Sequence, residues 1–65
     1  MKRERACVDN RRNCIIDILQ TNPEVRVDEL AKELGVSLIT IRRDLQFLEE
    51  KQLLIRTYGG AVSSM

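Results

Sequence analysis

Two adjacent arginines, Arg42 and Arg43, are the side chains whose type and spacing most clearly suggest chemistry. A guanidinium group presents five donors in a rigid fork, which matches two phosphate oxygens or the O6 and N7 atoms of guanine. The surrounding residues 38–50 have the apolar spacing of an amphipathic helix, and successive residues of a helix are about 100° apart. Both arginines therefore point away from the buried stripe. The stripe consists of Ile41, Leu45 and Leu48.

The start of this helix adds four further candidate contacts. Ser37 is a good N-cap, because its hydroxyl can accept an otherwise unpaired amide N–H of the first turn. Ile39 lies on the outer face and Leu38 at its margin, where apolar groups can contact a thymine methyl in the major groove. Thr40 can donate to a phosphate or a base edge. The alternative for Leu38 is packing beneath the turn at Gly35.

The two arginines have an alternative interpretation of their own. Arg43 is predicted to contact bases and Arg42 to contact phosphate. On a solvated helix face, however, Arg42 could instead pair with Asp44 or Glu49. The surrounding elements favour a nucleic-acid contact over this ion pair, because they form a recognised DNA-binding arrangement.

The rest of the sequence predicts the helices and strands that surround this helix. A first helix is predicted over residues 8–20, with a break at Pro23, a short strand over 25–27 and a second helix over 28–34 that ends at Gly35. Two strands flanking Gly59 and Gly60 predict a hairpin with a type I′ turn. The fold class is mainly α with a small β-hairpin: a winged helix-turn-helix, in which three helices carry a wing sheet of two or three strands. The predicted boundaries are a flexible basic arm at 1–7, a domain at 8–63, a helix-turn-helix unit at about 27–46 and a wing at about 53–63.

The wing is a second candidate DNA surface. A hairpin tip of this kind can reach the sugar-phosphate backbone or the minor groove. Tyr58 could instead fold back on the small core as a partly buried aromatic residue. The candidate wing contacts are Arg56, Tyr58, Gly59 and Gly60.

Charge is distributed unevenly, although the net charge is only +1. Residues 1–12 carry five basic and two acidic side chains, and residues 24–35 carry four acidic and two basic ones. Lys2, Arg3 and Arg5 of the basic arm, and Arg11 and Arg12 at the start of helix 1, could therefore add phosphate contacts that do not depend on sequence, unless the arm is disordered. The alternative is that both regions are simply solvated helix faces.

Cysteine usage excludes two kinds of site. Cys7 and Cys14 on one helix would have Cα atoms about 10 Å apart, which is too far for a disulfide. Two cysteines without histidine make no zinc site. Cys14 is predicted to be a small core residue, both thiols are predicted to be reduced, and no cofactor is expected.

Size and composition narrow the function classes. A chain of 65 residues is one domain at most, without room for a shielded active site. It has no histidine, no phosphate-binding glycine loop and no apolar run long enough for a membrane span, so an enzyme and a membrane protein are disfavoured and a cytoplasmic location is the default. Its two aromatic residues are too few for RNA stacking platforms. The remaining alternative is a winged-helix protein-interaction module with an apolar patch of Leu38, Ile39 and Phe47, where Phe47 either covers helix 1 or contacts another domain.

Residues 25–62 closely resemble the N-terminal helix-turn-helix of the DeoR family of bacterial transcription regulators. The motifs that carry the resemblance are E-L-A at 29–31, G-V-S at 35–37, T-I-R-R-D-L at 40–45 and Y-G-G-A at 58–61. The resemblance implies a winged-helix repressor or activator of sugar or carbohydrate genes that binds double-stranded DNA with helix 3 in the major groove. It implies that Ser37, Thr40, Arg42 and Arg43 face DNA. It also implies a homo-oligomer formed through a C-terminal sugar-phosphate effector domain, which this chain does not contain.

Four residues depart from the family pattern. Leu38 replaces a usually polar or acidic residue, and Tyr58 replaces a frequent histidine. Gln52 stands where glycine is common, and Arg26 stands where a small capping residue usually precedes helix 2. These departures concern base preference rather than the fold.

Overall fold

The computed structural model of the chain describes residues 3–64, and side chains from residue 9 onward. The described part is mainly helical, with a small antiparallel sheet packed beside the helices. In chain order, the elements are α1 (Arg3–Thr21), β1 (Glu24–Arg26), α2 (Val27–Leu34), α3 (Leu38–Glu50), β2 (Leu54–Thr57) and β3 (Gly60–Ser63). The predicted winged helix-turn-helix class is confirmed.

The sheet has the strand order β1-β3-β2, so β3 lies at the centre and the other two strands form the edges. β1 is antiparallel to β3, with Val25 opposite Ala61. β2 and β3 form the wing hairpin, in which Thr57 is opposite Gly60. The short strand before α2 is therefore the third strand of the wing sheet.

The core is built from all six elements. The predicted α3 stripe is buried, and Ile41 is fully inaccessible to solvent. α1 contributes Ile15 and Leu19, four residues apart on one face, to the same buried cluster. The other buried apolar residues are Val25, Val27, Leu30, Ala31, Leu54 and Ala61.

The predicted burial of Cys14 is wrong, since its side chain is exposed and its thiol is free. Ile15 and Leu19 set the centre of the buried face of α1. At 100° per residue, Cys14 lies about 120° from that centre. The prediction relied on the apolar neighbour Ile15, but adjacent residues of a helix point in directions about 100° apart.

Two predicted boundaries shift. α1 begins at Arg3 rather than near residue 8, so the backbone of residues 3–7 continues the helix; Met1 and Lys2 of the predicted arm lie outside the described residues. The segment has no glycine or proline to end the helix earlier. β1 ends at Arg26 rather than at residue 27, because Val27 is buried as the first residue of α2. No helix in the described range is long and apolar enough to cross a membrane.

The turn between α2 and α3 has the predicted geometry. Gly35 has a left-handed φ of 71°, and its N–H donates to the carbonyl oxygen of Ala31. Ser37 then caps α3 by accepting the N–H of Thr40 over 3.1 Å. This pair of caps fixes where α2 ends and where α3 begins.

The wing turn differs from the prediction. Only Gly59 has a positive φ, of 81°, so the turn has the φ signs of type II rather than type I′. Gly60 begins β3, and a Cβ there would lie 2.1 Å from the carbonyl oxygen of Val25. Glycine is therefore needed at 60 for the close approach of β1, not for a positive φ. The turn is also held by Val27, whose N–H donates to the Gly59 oxygen over 2.8 Å.

Candidate nucleic-acid interface

The outer face of α3 presents two cations and two apolar side chains to solvent. Arg42 and Arg43 are exposed. Ile39 is 69% exposed and Leu38 45%, so neither is committed to the core. The buried stripe on the opposite side leaves this face free of other elements.

Arg42 and Arg43 make no ion pair or hydrogen bond with the described part of the chain. The predicted alternative, an ion pair of Arg42 with Asp44 or Glu49, does not form. Both carboxylates are bound by other arginines. The two cations of this face are thus available to an external anion.

At the start of α3, Ser37 and Thr40 form a closed pair. Besides capping the Thr40 N–H, the Ser37 hydroxyl donates to Thr40 Oγ1 over 3.0 Å. Because Thr40 Oγ1 accepts this bond, its own hydroxyl hydrogen can still be donated to a phosphate or base. The pair orients the first turn of α3 and leaves the hydroxyl hydrogen of Thr40 available for a further hydrogen bond.

A buried carboxylate, Asp44, joins α1 to α3. Its side chain is 1% exposed and accepts both Nε and Nη2 of Arg11, the latter over 3.1 Å. Arg12 donates to Asp44 Oδ1 over 3.0 Å. Arg11 and Arg12, two of the predicted phosphate contacts, therefore bind a carboxylate of the same molecule.

Helical spacing could have identified Asp44 as buried. It lies about 60° from Ile41 on the helical wheel, and Leu48 lies about 20° from Ile41 on the same side. The sequence nevertheless favours a surface position for Asp44, because carboxylates are rarely fully buried unless they are paired. Its two partners lie 33 and 32 residues away, beyond any local pattern.

Phe47 contacts α1 through Arg12, in agreement with one of its two predicted roles. The Arg12 guanidinium carbon lies 3.9 Å from the ring centroid, and Lys51 Nζ lies 5.3 Å from it. These are cation–π distances. The cations therefore occupy part of the ring, and the Phe47 side chain remains 37% exposed.

In the wing, Arg56 is paired with Glu49 of α3. Arg56 Nε donates to Glu49 Oε1, and the Arg56 backbone N–H donates to Oε2, both over 3.0 Å. The backbone N–H of Arg56, and then its side chain, lower the pKa of the Glu49 carboxyl. The Arg56 side chain stays partly exposed beside this contact.

Tyr58 is fully exposed at the wing turn, so the alternative in which it packs on the core is wrong. Gly59 beside it is also exposed, whereas Gly60 is buried in the sheet. The tip of the wing therefore presents Tyr58 and the Gly59 backbone to solvent.

A cleft of about 310 Å³ separates α3 from the wing. It brings residues predicted from separate parts of the sequence to one surface. Those predicted candidates that line it are Arg42, Arg56, Gly59 and Gly60. Glu49 and Thr57 complete its polar wall. Among the described side chains, no group of three potential metal ligands lies together.

The chain matches the family model of the DeoR-like helix-turn-helix domain over residues 11–65. It is 46% identical over 52 residues to the HTH-type transcriptional regulator GolR of Listeria innocua serovar 6a, an alignment that covers 80% of this chain and 20% of the relative. It is 45% identical over 47 residues to the lactose phosphotransferase system repressor of Lactococcus lactis subsp. lactis, covering 72% of this chain and 18% of the relative.

A third relative is the glycerol-3-phosphate regulon repressor of Escherichia coli K12, 43% identical over 51 residues, with 78% of this chain and 20% of the relative covered. The chain thus spans about a fifth of the length of these curated relatives. No solved structure matches the chain significantly. On the family match and on these relatives, the chain belongs to the DeoR-like helix-turn-helix family of DNA-binding transcription regulators.

Proposed function

We propose that this domain binds double-stranded DNA sequence-specifically, with the N-terminal half of α3 in the major groove and the wing on the adjacent backbone. The observation that carries the proposal is the unpaired state of Arg42 and Arg43 among the described side chains, whereas Arg11, Arg12, Arg26 and Arg56 each lie beside a carboxylate. In a helix-turn-helix, the first residues of the second helix reach base edges. The exposed Ile39 adds an apolar surface suited to a thymine methyl.

The two arginines have different roles in this proposal. Arg43 reads a base, with its fork bound to guanine O6 and N7. Arg42 lines the cleft toward the wing and binds a phosphate between the two contact elements. Ser37, Thr40 and the wing tip at Tyr58 and Gly59 position the domain on the backbone.

The first experiment selects binding sites for this chain from a random duplex pool and measures affinity at several salt concentrations. Arg43→Ala should lower affinity for the selected duplex by roughly 1–3 kcal/mol and reduce discrimination against a scrambled duplex. Arg42→Ala should weaken both duplexes equally and reduce the log–log salt slope by about 0.9. Lys32→Ala is the matched control, because Lys32 is an exposed cation among the acidic residues of α2. Equal effects of all three substitutions would contradict the proposal.

The regulatory role is proposed for the whole protein. The relatives are named a regulator and repressors of a lactose phosphotransferase system and a glycerol-3-phosphate regulon. We infer that a longer protein carrying this domain represses genes of sugar or carbohydrate metabolism in the bacterial cytoplasm. A sugar-phosphate effector and homo-oligomerisation would then act through a separate C-terminal domain. A single module buries only about 600–1,000 Å² on DNA, so this domain alone should bind weakly.

A further inference from the structure

One side chain connects α3 to the outer half of the wing. Glu49 lies near the end of α3, and its two carboxylate oxygens receive separate hydrogen bonds from Arg56, one from the side chain and one from the backbone. The contact is partly exposed, with side-chain accessibilities of 37% for Glu49 and 44% for Arg56. It therefore lies at the surface, in the same cleft as Arg42, rather than in the core.

The position of Arg56 in the sheet makes this contact informative. β2 is an edge strand that pairs only with β3, so an edge amide would otherwise face solvent. Leu54 anchors the base of β2 in the core, but the residues from Ile55 to Gly59 are exposed. The turn itself is held to α2 through Val27, not to α3. In the described chain, Glu49 is the α3 side chain that hydrogen-bonds this outer half.

The charge of Glu49 is unfavourable for DNA binding taken alone. A carboxylate in a cleft that faces phosphates repels them, and it also occupies an arginine that could bind phosphate. Arg42 lines the same cleft without a partner among the described residues. Glu49 should therefore lower the affinity for DNA of any sequence. Its presence in the cleft makes physical sense if it improves the discrimination between duplex sequences.

We propose that Glu49 is a positioning residue for sequence discrimination. Its two hydrogen bonds to Arg56 set the distance between the wing tip and the Arg42–Arg43 pair, so that both surfaces fit one register of the duplex. This inference rests on the proposed DNA-binding function. It assigns Glu49 no contact with DNA and makes its effect act through Arg56.

The test compares Glu49→Ala with Glu50→Ala. Glu50 is an exposed carboxylate at the end of the same helix and makes no hydrogen bond or ion pair with the described residues, so its removal changes the charge equally without touching the wing. The probes are a duplex selected from the random pool by the wild-type chain and a scrambled duplex of the same composition. The ratio of the two dissociation constants is the readout.

Glu49→Ala should reduce that ratio about tenfold, comparable to the loss of one base contact, while affinity for the scrambled duplex stays equal or rises. Glu50→Ala should change both affinities by the same factor and leave the ratio unchanged. Glu49→Gln keeps a carbonyl oxygen for the Arg56 N–H and should retain most of the discrimination. Equal ratios for the wild type, Glu49→Ala and Glu50→Ala would overturn the inference.

A second readout needs no DNA. The Arg56 amide proton resonance should shift upfield in Glu49→Ala and stay in place in Glu50→Ala, because only the first substitution removes its acceptor. An unchanged resonance in Glu49→Ala would also overturn the inference. The dispersion of the amide resonances in the same spectrum would show whether the variant is folded. Failure of the proposed function is separate, since the wild-type chain would then fail to prefer any selected duplex.

Discussion

At the scale of single residues, Gln52 is the one non-glycine residue of the described chain with a positive φ, of 62°. A left-handed conformation costs an L-residue about 1–2 kcal/mol, and glycine avoids most of this cost. Gln52→Gly should therefore raise the free energy of unfolding by up to about 1 kcal/mol, after the greater unfolded-state entropy of glycine is subtracted. The midpoint of urea denaturation measures the change.

The control for Gln52→Gly is a second exposed glutamine, Gln46, which lies inside α3. Gln46→Gly should lower the free energy of unfolding by about 0.5–1 kcal/mol, because glycine is unfavourable in a helix interior. A loss of stability in both variants would contradict the strain assigned to residue 52. The positive φ at residue 52 also explains why glycine is common at this position in the family.

The pH response of Glu49 is also a property of one residue. Its pKa is lowered chiefly by the backbone N–H of Arg56. The hydrogen bonds therefore stabilise the fold above the ordinary glutamate pKa, and this contribution is lost as pH falls through the lowered value. A carbon-detected titration of the Glu49 carboxyl should show a midpoint below that of an unstructured glutamate. Arg56→Ala should raise the midpoint only part of the way, because the backbone donor remains.

At the scale of elements, the N-cap residue of α2 provides no side-chain cap, although Asp28 Oδ1 accepts the Glu29 N–H over 2.9 Å. Arg26 occupies the N-cap position and gives no capping hydrogen bond; its exposed ion pair with Asp28 spans 3.6 Å. Such surface pairs contribute little to stability. Arg26→Ser should add a hydroxyl acceptor for the backbone N–H of Asp28 and raise the free energy of unfolding by about 0.5–1 kcal/mol. Thermal unfolding measures the gain, and Ser37→Ala, which removes the existing cap of α3, should lower stability by about the same amount.

The contact between β1 and β3 depends on the absence of a side chain at Gly60. A Cβ would meet the Val25 carbonyl oxygen at 2.1 Å, so Gly60→Ala must push the two strands apart. Overpacking of this kind typically costs about 1–3 kcal/mol. Gly59→Asn is the matched control, since a Cβ at 59 meets open space and asparagine tolerates a positive φ. Chemical denaturation of both variants compares them, and equal stability would contradict the role given to Gly60.

At the scale of the whole molecule, the Asp44 cluster joins the first helix to the third. Removing one partner of a buried ion pair leaves an uncompensated charge and typically costs about 3–5 kcal/mol. Asp44→Ala should therefore remove a large part of the marginal stability of a small domain. Asp17→Ala, at an exposed carboxylate of α1, should change the free energy of unfolding little. Similar unfolding midpoints for the two variants would contradict the stabilising role given to the ion pairs of Asp44 with Arg11 and Arg12.

The sequence predicted what depends on local spacing. In the α3 stripe, the Ser37 cap and the Gly35 helix end, successive partners are no more than four residues apart, so periodicity and capping rules are enough. It could not predict which arginine meets which carboxylate. Those choices join residues 7 to 33 positions apart and are decided by the packing of α1 and the wing against α3. The requirement for glycine at position 60 could not be predicted correctly for the same reason. It comes from the close approach of β1, which is distant in sequence and which local turn rules do not include.

The central place of β3 has a practical consequence for anyone shortening this domain. β1, which leads directly into α2, has its backbone partners at residues 60–62, beyond the wing turn. A chain cut after α3 would keep every residue of the two helices and their turn, yet would leave the Val25 strand without its neighbour and uncover the core above Ala61. The minimal folding unit therefore includes the last strand, and a fragment that ends after α3 should fail to hold α2 in its native place.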